Sequence, residues 1–220
     1  MEAKIVTLLK EEFEQQFQVE INQYLPENGV VNFVRLGNGL EYKIHLRFDL
    51  KFRSFYQVSG LISNSAISQL FKEAIGDLMV FDTAILFLNK VPDWQGHMQG
   101  MANYDLTQLA GMDGLLKRLV QYIVKFIIPF FDSYSKLVDI NEMIINGIPE
   151  SEYKDYIPGQ EKNLKVLSIM KLCGNLRYDA FKEKVFRNYE KGAAKNPERY
   201  GKHLQALKNL TSHLESFNLD

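Results

Sequence analysis

The chain has 220 residues, and its 26 basic side chains are balanced by 27 acidic ones, which gives a formal net charge of -1. This balance argues against a protein that coats a polyanion and against one with a long acidic tail. The hydrophobic fraction of 46% and the aromatic fraction of 12% are typical of a folded globular chain, and they argue against disorder and collagen-like repeats.

The N-terminus and the most apolar segment indicate neither export nor membrane insertion. Residues 1–12 lack a basic leader followed by a long apolar run. The apolar region 115–131 contains Lys117 and Lys125, so its uncharged run is far shorter than the ~20 residues of a spanning helix. The single cysteine, Cys173, cannot form an internal disulfide, which suits a reducing compartment. We predict a cytoplasmic protein that does not associate with membranes.

The first half of the chain shows the periodicities of one helix followed by strands. Helical spacing of apolar residues predicts a helix over residues 4–18. A strand follows over residues 30–36, and Gly37-Asn38-Gly39 supplies the positive φ angles of a tight hairpin. Further strands are predicted over residues 55–62 and 83–88, with a short helix near residues 67–75 between them.

Residues 42–53 alternate between apolar and polar without interruption, which is the pattern of a strand with one dry and one wet face. We predict that the even-numbered residues of this strand face the core, and that the four central even-numbered residues are all buried. These four are Ile44, Leu46, Phe48 and Leu50, flanked by Tyr42 and Phe52.

The second half is predicted to be helical from about residue 105, with Pro129 ending or kinking a long apolar helix. A shorter helix over residues 137–146 stops at Gly147, whose tolerance of positive φ suits a C-cap. Residues 148–159 are predicted to be a connection. Three more helices follow, over residues 164–172, residues 178–189 and the segment after Pro197.

This order of elements predicts an α+β fold: an N-terminal helix, an antiparallel sheet of about four strands, a long buried helix and a C-terminal helical segment. Since strands and helices are segregated along the chain, a doubly wound fold is disfavoured. We place an α+β domain at residues 1–147, with a helical segment at 148–220 packing on it. A single domain over the whole chain remains the alternative.

The sequence contains no motif for a cofactor or a metal. Gly37-Asn38-Gly39 is followed by a strand and not a helix, so it is a turn and not a phosphate-binding loop. The four histidines lack the His-Glu-x-x-His spacing of zinc hydrolases. Cys173 lies beside core residues near a helix end, where a buried, unreactive thiol is expected. We therefore predict neither cofactor nor metal.

A basic stripe on the wet face of the 42–53 strand is a candidate interaction surface, formed by Lys43, Arg47, Lys51 and Arg53. Nucleic-acid binding on a sheet requires aromatic rings on the same face as the charges. Strict alternation places the strand's aromatic residues on the opposite face, so nucleic acid is disfavoured. A solvated face is the simpler interpretation, and the alternatives are an anionic partner or cover by the C-terminal helices.

A candidate ligand pocket lies in the glycine-bearing segment between sheet and helices, where Trp94, His97 and Tyr104 are clustered. Segments of this kind commonly carry functional groups on a rigid scaffold. Aromatic packing over the core is the simpler interpretation, and a small-ligand or catalytic pocket is the alternative.

These observations favour a non-catalytic binding protein whose partner is another protein. The alternative is a small-ligand or catalytic pocket near Trp94 and His97, for which an enzyme would need convergent polar groups with perturbed titration.

One further segment carries a resemblance. Ile128-Pro129-Phe130-Phe131-Asp132-Ser133-Tyr134 ends the long helix, and an N-terminal helix and an antiparallel sheet precede it. In this layout residues 1–146 resemble small bacterial α+β proteins of unknown function. The resemblance implies an α+β fold and no catalytic residues.

Overall fold

The computed structural model describes residues 2–13, 18–25, 28–49, 51–76, 78 and 82–216. Within them, five strands form one sheet whose strand order follows the chain, and helices dominate after the last strand. The predicted α+β fold with a helical C-terminal segment is confirmed.

The backbone contacts divide the chain into two compact units, neither of which is one continuous stretch. The domain boundary after residue 147 stays a prediction. The first unit comprises Met1–Gly37, Glu41–Ile62 and Phe87–Ser135, and the second comprises Asn38–Leu40, Ser63–Leu86 and Lys136–Asp220.

The first unit begins with a helix and a strand where the sequence predicted only a helix. Helix α1 ends at Phe13, and strand β1 begins at Gln18. Strand β1 pairs antiparallel with β2, and this ladder satisfies its backbone hydrogen bonds. The alternating Val19 and Ile21 already carried this strand signal in the sequence. The bounds are α1 Glu2–Phe13, β1 Gln18–Leu25 and β2 Asn28–Gly37.

A two-residue turn joins β2 to strand β3, Leu40–Asp49. Asn38 has φ 52° and Gly39 has φ 74°, so both central residues are left-handed, as the twist of a tight hairpin requires. The predicted hairpin is confirmed.

The alternation of β3 is confirmed over most of its length. Ile44, Leu46 and Phe48 are completely buried, and Leu50 lies outside the described residues. Phe52 was predicted to face the core, but its side chain is 72% exposed. The strand ends at Asp49, whose Oδ1 accepts a hydrogen bond from the Phe52 amide at 3.0 Å. This bond closes a turn and takes Phe52 off the buried face.

Strand β4, Ser54–Asn64, completes the hairpin with β3, and the other helices of the first unit follow further along the chain.

The long predicted helix is continuous through Pro129, but a π-helical turn precedes the proline. The Ile128 amide donates to the Ile123 carbonyl, five residues back. The wider turn accommodates a proline that cannot donate a hydrogen bond. The bounds are α3 Trp94–Ala102, α4 Leu109–Tyr122, the π-turn Ile123–Ile127 and α5 Ile128–Ser133; α2 is given below with the second unit.

Helix α3 was missed because Gly96 and Gly100 suggested a break in the chain. Asp93 caps the helix, since its Oδ1 accepts a hydrogen bond from the Gly96 amide at 3.3 Å. Asp93 itself has φ 50°, so it makes the sharp entry into the helix.

The second unit is helical apart from a short strand. Asn64 caps α2 by accepting a hydrogen bond from the Ile67 amide at 2.9 Å. The predicted connection 148–159 contains a short 3-10 helix, Glu150–Asp155. The bounds of the other elements up to residue 145 are α2 Ser65–Ile75, β5 Ala84–Phe87, α6 Leu137–Ile140 and a second π-turn, Asn141–Ile145.

Helix α7 is the central helix of the second unit, because every residue from 164 to 170 is buried. The two longer helices that pack against it, α8 and α9, each bury one face. The three predicted C-terminal helices are confirmed. Their bounds are α7 Lys162–Leu172, α8 Tyr178–Lys195 and α9 Pro197–Ser216.

Gly147 follows the second π-turn for a different reason from the one expected. The expected positive φ is wrong: the glycines of the described chain with positive φ are Gly39, Gly159 and Gly174. A Cβ at residue 147 would instead overlap the carbonyl oxygen of Met143. The glycine therefore provides space.

Replacing Gly147 with alanine should lower the free energy of unfolding by about 1–3 kcal/mol, the usual cost of overpacking, because a backbone carbonyl cannot move aside cheaply. Urea denaturation of G147A measures the loss. Gly201 is the matched control, because a Cβ there meets nothing within 4 Å. Equal destabilisation of G147A and G201A would contradict the steric explanation.

Candidate functional site

A cavity of about 280 Å³ lies between α3, α4 and the first π-turn, within the first unit. Helix α4 and the π-turn supply most of its wall, α3 supplies the rest, and the cavity is open to solvent. The lining residues are His97, Met101, Arg118, Gln121, Tyr122, Lys125 and Phe126.

The Arg118 side chain of α4 packs against Gly100 of α3. A Cβ at this position would overlap the Nη1 atom of Arg118, so the guanidinium occupies the space that the glycine leaves open. Arg118, which is exposed, thus reaches from α4 to the α3 backbone beside the cavity.

Three rings form the apolar wall. The His97 ring centroid lies 5.6 Å from that of Tyr122 and 5.3 Å from that of Phe126, both in edge-on geometry. The Tyr122 and Phe126 centroids are 5.2 Å apart. Burial raises the pKa of Tyr122 to about 12, so its hydroxyl stays protonated and neutral at physiological pH.

The polar residues of the wall share one helix face. Arg118, Gln121 and Lys125 are spaced by three and four residues, which places them side by side along the α4–π-turn segment. The Lys125 Nζ also lies 5.1 Å from the Phe126 ring centroid. Lys125 and Phe126 belong to the π-turn, a distortion that is frequent at functional sites.

In the described part of the chain, the polar side chains of this cavity form no hydrogen bonds and no ion pairs. Among the described residues, neither a hydrogen bond nor an ion pair engages the side chain of His97, Arg118 or Gln121. Lys125 contacts the ring of Phe126 and has no carboxylate partner among the residues that the structure describes. The described lining residues also include no acid. Two positive charges therefore remain available to a ligand.

Of the three predicted pocket residues, His97 alone lines the cavity. Trp94 is the first residue of α3 and is 42% exposed. The Tyr104 ring packs against Gly114 of α4, where a Cβ would overlap it. Sequence reasoning missed Arg118 because it treated the charges of this apolar helix only as interruptions. Their spacing on one face was the available signal.

The predicted basic stripe divides into two parts. Lys43 forms an ion pair with Glu41, with Nζ and Oε1 3.0 Å apart. Arg47 instead lies over the ring of Tyr56, 4.9 Å from its centroid. Lys51 and Arg53 are exposed in the turn after β3, and so do not lie on the strand.

Cys173 is half-buried, whereas the sequence predicted a buried side chain. Burial and the nearby Glu142 carboxylate raise the pKa of its thiol to about 11. The thiol is therefore protonated at neutral pH and a poor nucleophile.

Within the described ranges, no group of three or more His, Cys, Asp or Glu side chains is arranged to hold a metal ion. No helix in this part of the chain combines the length and the apolar character needed to cross a membrane. In comparisons with known proteins, no family model matches the chain, and no curated protein or solved structure matches it.

Proposed function

We propose that this protein binds a small anionic molecule with a planar or aromatic part, in the cavity between α3 and α4. One observation carries the proposal: among the described residues, cationic and polar side chains without hydrogen-bond or ion-pair partners line an aromatic-walled cavity, and no acid lines it. The Arg118 guanidinium suits a carboxylate or phosphate, because its planar donors can engage two oxygens at once. Lys125 adds a second charge beside the ring of Phe126.

The size of the cavity supports a small ligand. Its volume of about 280 Å³ lies just below the roughly 300–1,000 Å³ that is usual for pockets of drug-sized ligands. The edge-on rings of His97 and Tyr122 suit a flat apolar group beside the anion.

Binding without chemical change is the form of the proposal that the lining favours. The described lining residues include no carboxylate or thiol, and the Tyr122 hydroxyl stays protonated, with a pKa of about 12. The described lining residues therefore include no nucleophile paired with a general base. A cytoplasmic location belongs to the same proposal and is supported by the single cysteine.

Titration calorimetry with benzoate and phenyl phosphate tests the proposal. We expect both anions to bind, and the uncharged benzyl alcohol to bind at least about tenfold more weakly. R118Q should weaken benzoate binding about tenfold or more, because a charge-assisted hydrogen bond contributes roughly 1.5–3 kcal/mol.

The matched control is K117Q, since Lys117 is an exposed cation on the same helix outside the cavity lining. G100A provides a second variant, because its new methyl group displaces the Arg118 guanidinium and leaves the net charge unchanged. We expect weaker binding in G100A and unchanged binding in K117Q. Equal losses in R118Q and K117Q, or no detectable binding of either anion, would refute the proposal.

A further inference from the structure

The hairpin between β3 and β4 exposes aromatic and basic side chains together. We call Arg47, Lys51, Phe52, Arg53 and Tyr56 the hairpin surface. It shares no residue with the proposed ligand cavity.

Two large rings of this surface face solvent, each beside a cation. Phe52 is 72% exposed and Tyr56 is 60% exposed. The Lys51 Nζ lies 5.6 Å from the Phe52 ring centroid, and the Arg47 guanidinium lies 4.9 Å from that of Tyr56. The two ring-bearing residues are four positions apart, a span of at most about 14 Å of chain.

An irregularity in β4 presents Tyr56 on the outside. Phe55 and Val58 are both buried, so two consecutive residues between them, Tyr56 and Gln57, lie outside the core. In a strand with strict alternation, only one residue separates two successive buried residues. Tyr56 thereby reaches the side of the sheet that carries Arg47.

The charge of the hairpin surface is positive. Arg47, Lys51 and Arg53 supply three cations, which outnumber the one nearby carboxylate, that of Asp49, whose Oδ1 accepts from the Phe52 amide. Arg53 has φ 48°, a conformation that glycine and asparagine adopt more readily than arginine. A charged residue at a strained turn position points to a use for the charge.

We propose that the hairpin surface binds single-stranded nucleic acid, with phosphates on the three cations and bases stacked on Phe52 and Tyr56. Sheet-based recognition of single strands needs rings and charges on one face. The sequence disfavoured nucleic acid because the aromatic residues of β3 were assigned to the opposite face. Phe52 and Tyr56 remove that objection.

Other anionic partners fit less well. An anionic membrane would engage an apolar tip, but of the two exposed rings only Phe52 lies in the turn, whereas Tyr56 belongs to β4 and pairs with Arg47. An acidic protein segment would engage the cations and leave two exposed rings without a role. A single strand uses both features, because every base has a face that stacks.

Fluorescence anisotropy with labelled oligothymidylate tests this proposal. We expect a dissociation constant below about 100 μM at low salt, the range of non-specific binding. Three phosphate contacts predict a slope of about −2 for log K against log salt concentration, at about 0.7 per contact. R47Q/K51Q/R53Q should flatten this slope. F52A/Y56A should weaken binding about tenfold or more and should leave most of the slope unchanged.

K10Q/K117Q/K191Q is the matched control, since it removes three exposed cations elsewhere and should bind as the unchanged protein does. R53N separates charge from folding, because asparagine tolerates the left-handed turn: its melting temperature should not fall, yet its binding should weaken. No binding at low salt, equal binding of duplex DNA, or binding of phosphatidylserine vesicles but not of the oligonucleotide would overturn the proposal.

Discussion

Replacing Lys165 with methionine is expected to lower the free energy of unfolding by about 3–5 kcal/mol, the cost of breaking a buried ion pair from one side. Lys165 is fully buried on α7, and its Nζ donates to the Pro158 carbonyl at 2.7 Å. The Nζ also lies 3.4 Å from Oε1 of Glu161, which accepts a hydrogen bond from the Asp82 amide at 2.8 Å. Without Lys165, the buried Glu161 carboxylate would lose its counter-charge.

The control for this variant is the double substitution E161Q/K165M, measured with both single variants in urea. Glutamine keeps an oxygen that can accept from the Asp82 amide, and the double variant removes both charges. It should therefore be more stable than K165M alone. A loss below about 1 kcal/mol in K165M would show that the pair does not bear on stability.

The pH dependence of the same variant follows from the direction of the pKa shift. Burial lowers the pKa of Lys165 from 10.5, and the Glu161 and Asp82 carboxylates oppose this effect. Between the folded and unfolded pKa values, the unfolded chain binds more protons at this lysine. The contribution of Lys165 to stability therefore rises with pH across that window. The stability difference between the unchanged protein and K165M should widen as the pH approaches 10.5.

Replacing Phe48 with alanine should also cost about 3–5 kcal/mol, because it removes a fully buried aromatic side chain. The Phe48 ring meets that of Phe55 edge-on, with centroids 5.6 Å apart. The loss combines buried apolar area, this ring contact and a cavity that the sheet cannot close.

Phe52 provides a matched control, since it has the same residue type and the same parity four positions later. Its side chain is 72% exposed, so F52A should change the free energy of unfolding by no more than about 0.5 kcal/mol. Urea denaturation of the two variants compares them directly. Similar losses in both would mean that the buried face of β3 extends through Phe52.

Because F52A is expected to change the free energy of unfolding only slightly, the two functional proposals can be tested separately. The cavity depends on Arg118 and Lys125, whereas nucleic-acid binding depends on the hairpin surface. R118Q should therefore leave oligonucleotide binding unchanged, and F52A/Y56A should leave benzoate binding unchanged. Either proposal can fail without the other.

The sequence by itself determined the elements whose pattern is local. The period-two alternation of β3 identified Ile44, Leu46 and Phe48 as core, because successive side chains of a strand point to opposite faces. The Asn38-Gly39 turn was equally local, since few residues tolerate two successive positive φ angles.

Only the tertiary structure decided where these patterns stop and which distant residues meet. Strand β1 forms because β2 offers it a hydrogen-bonding partner, and Phe52 is exposed because Asp49 closes a turn before it. The candidate cavity brings His97 of α3 and Arg118 of α4 into one lining, and the Arg118 guanidinium occupies the space beside Gly100. Periodicity reports which face of one element is apolar. It does not report which element packs there, because that depends on contacts between residues far apart in the chain.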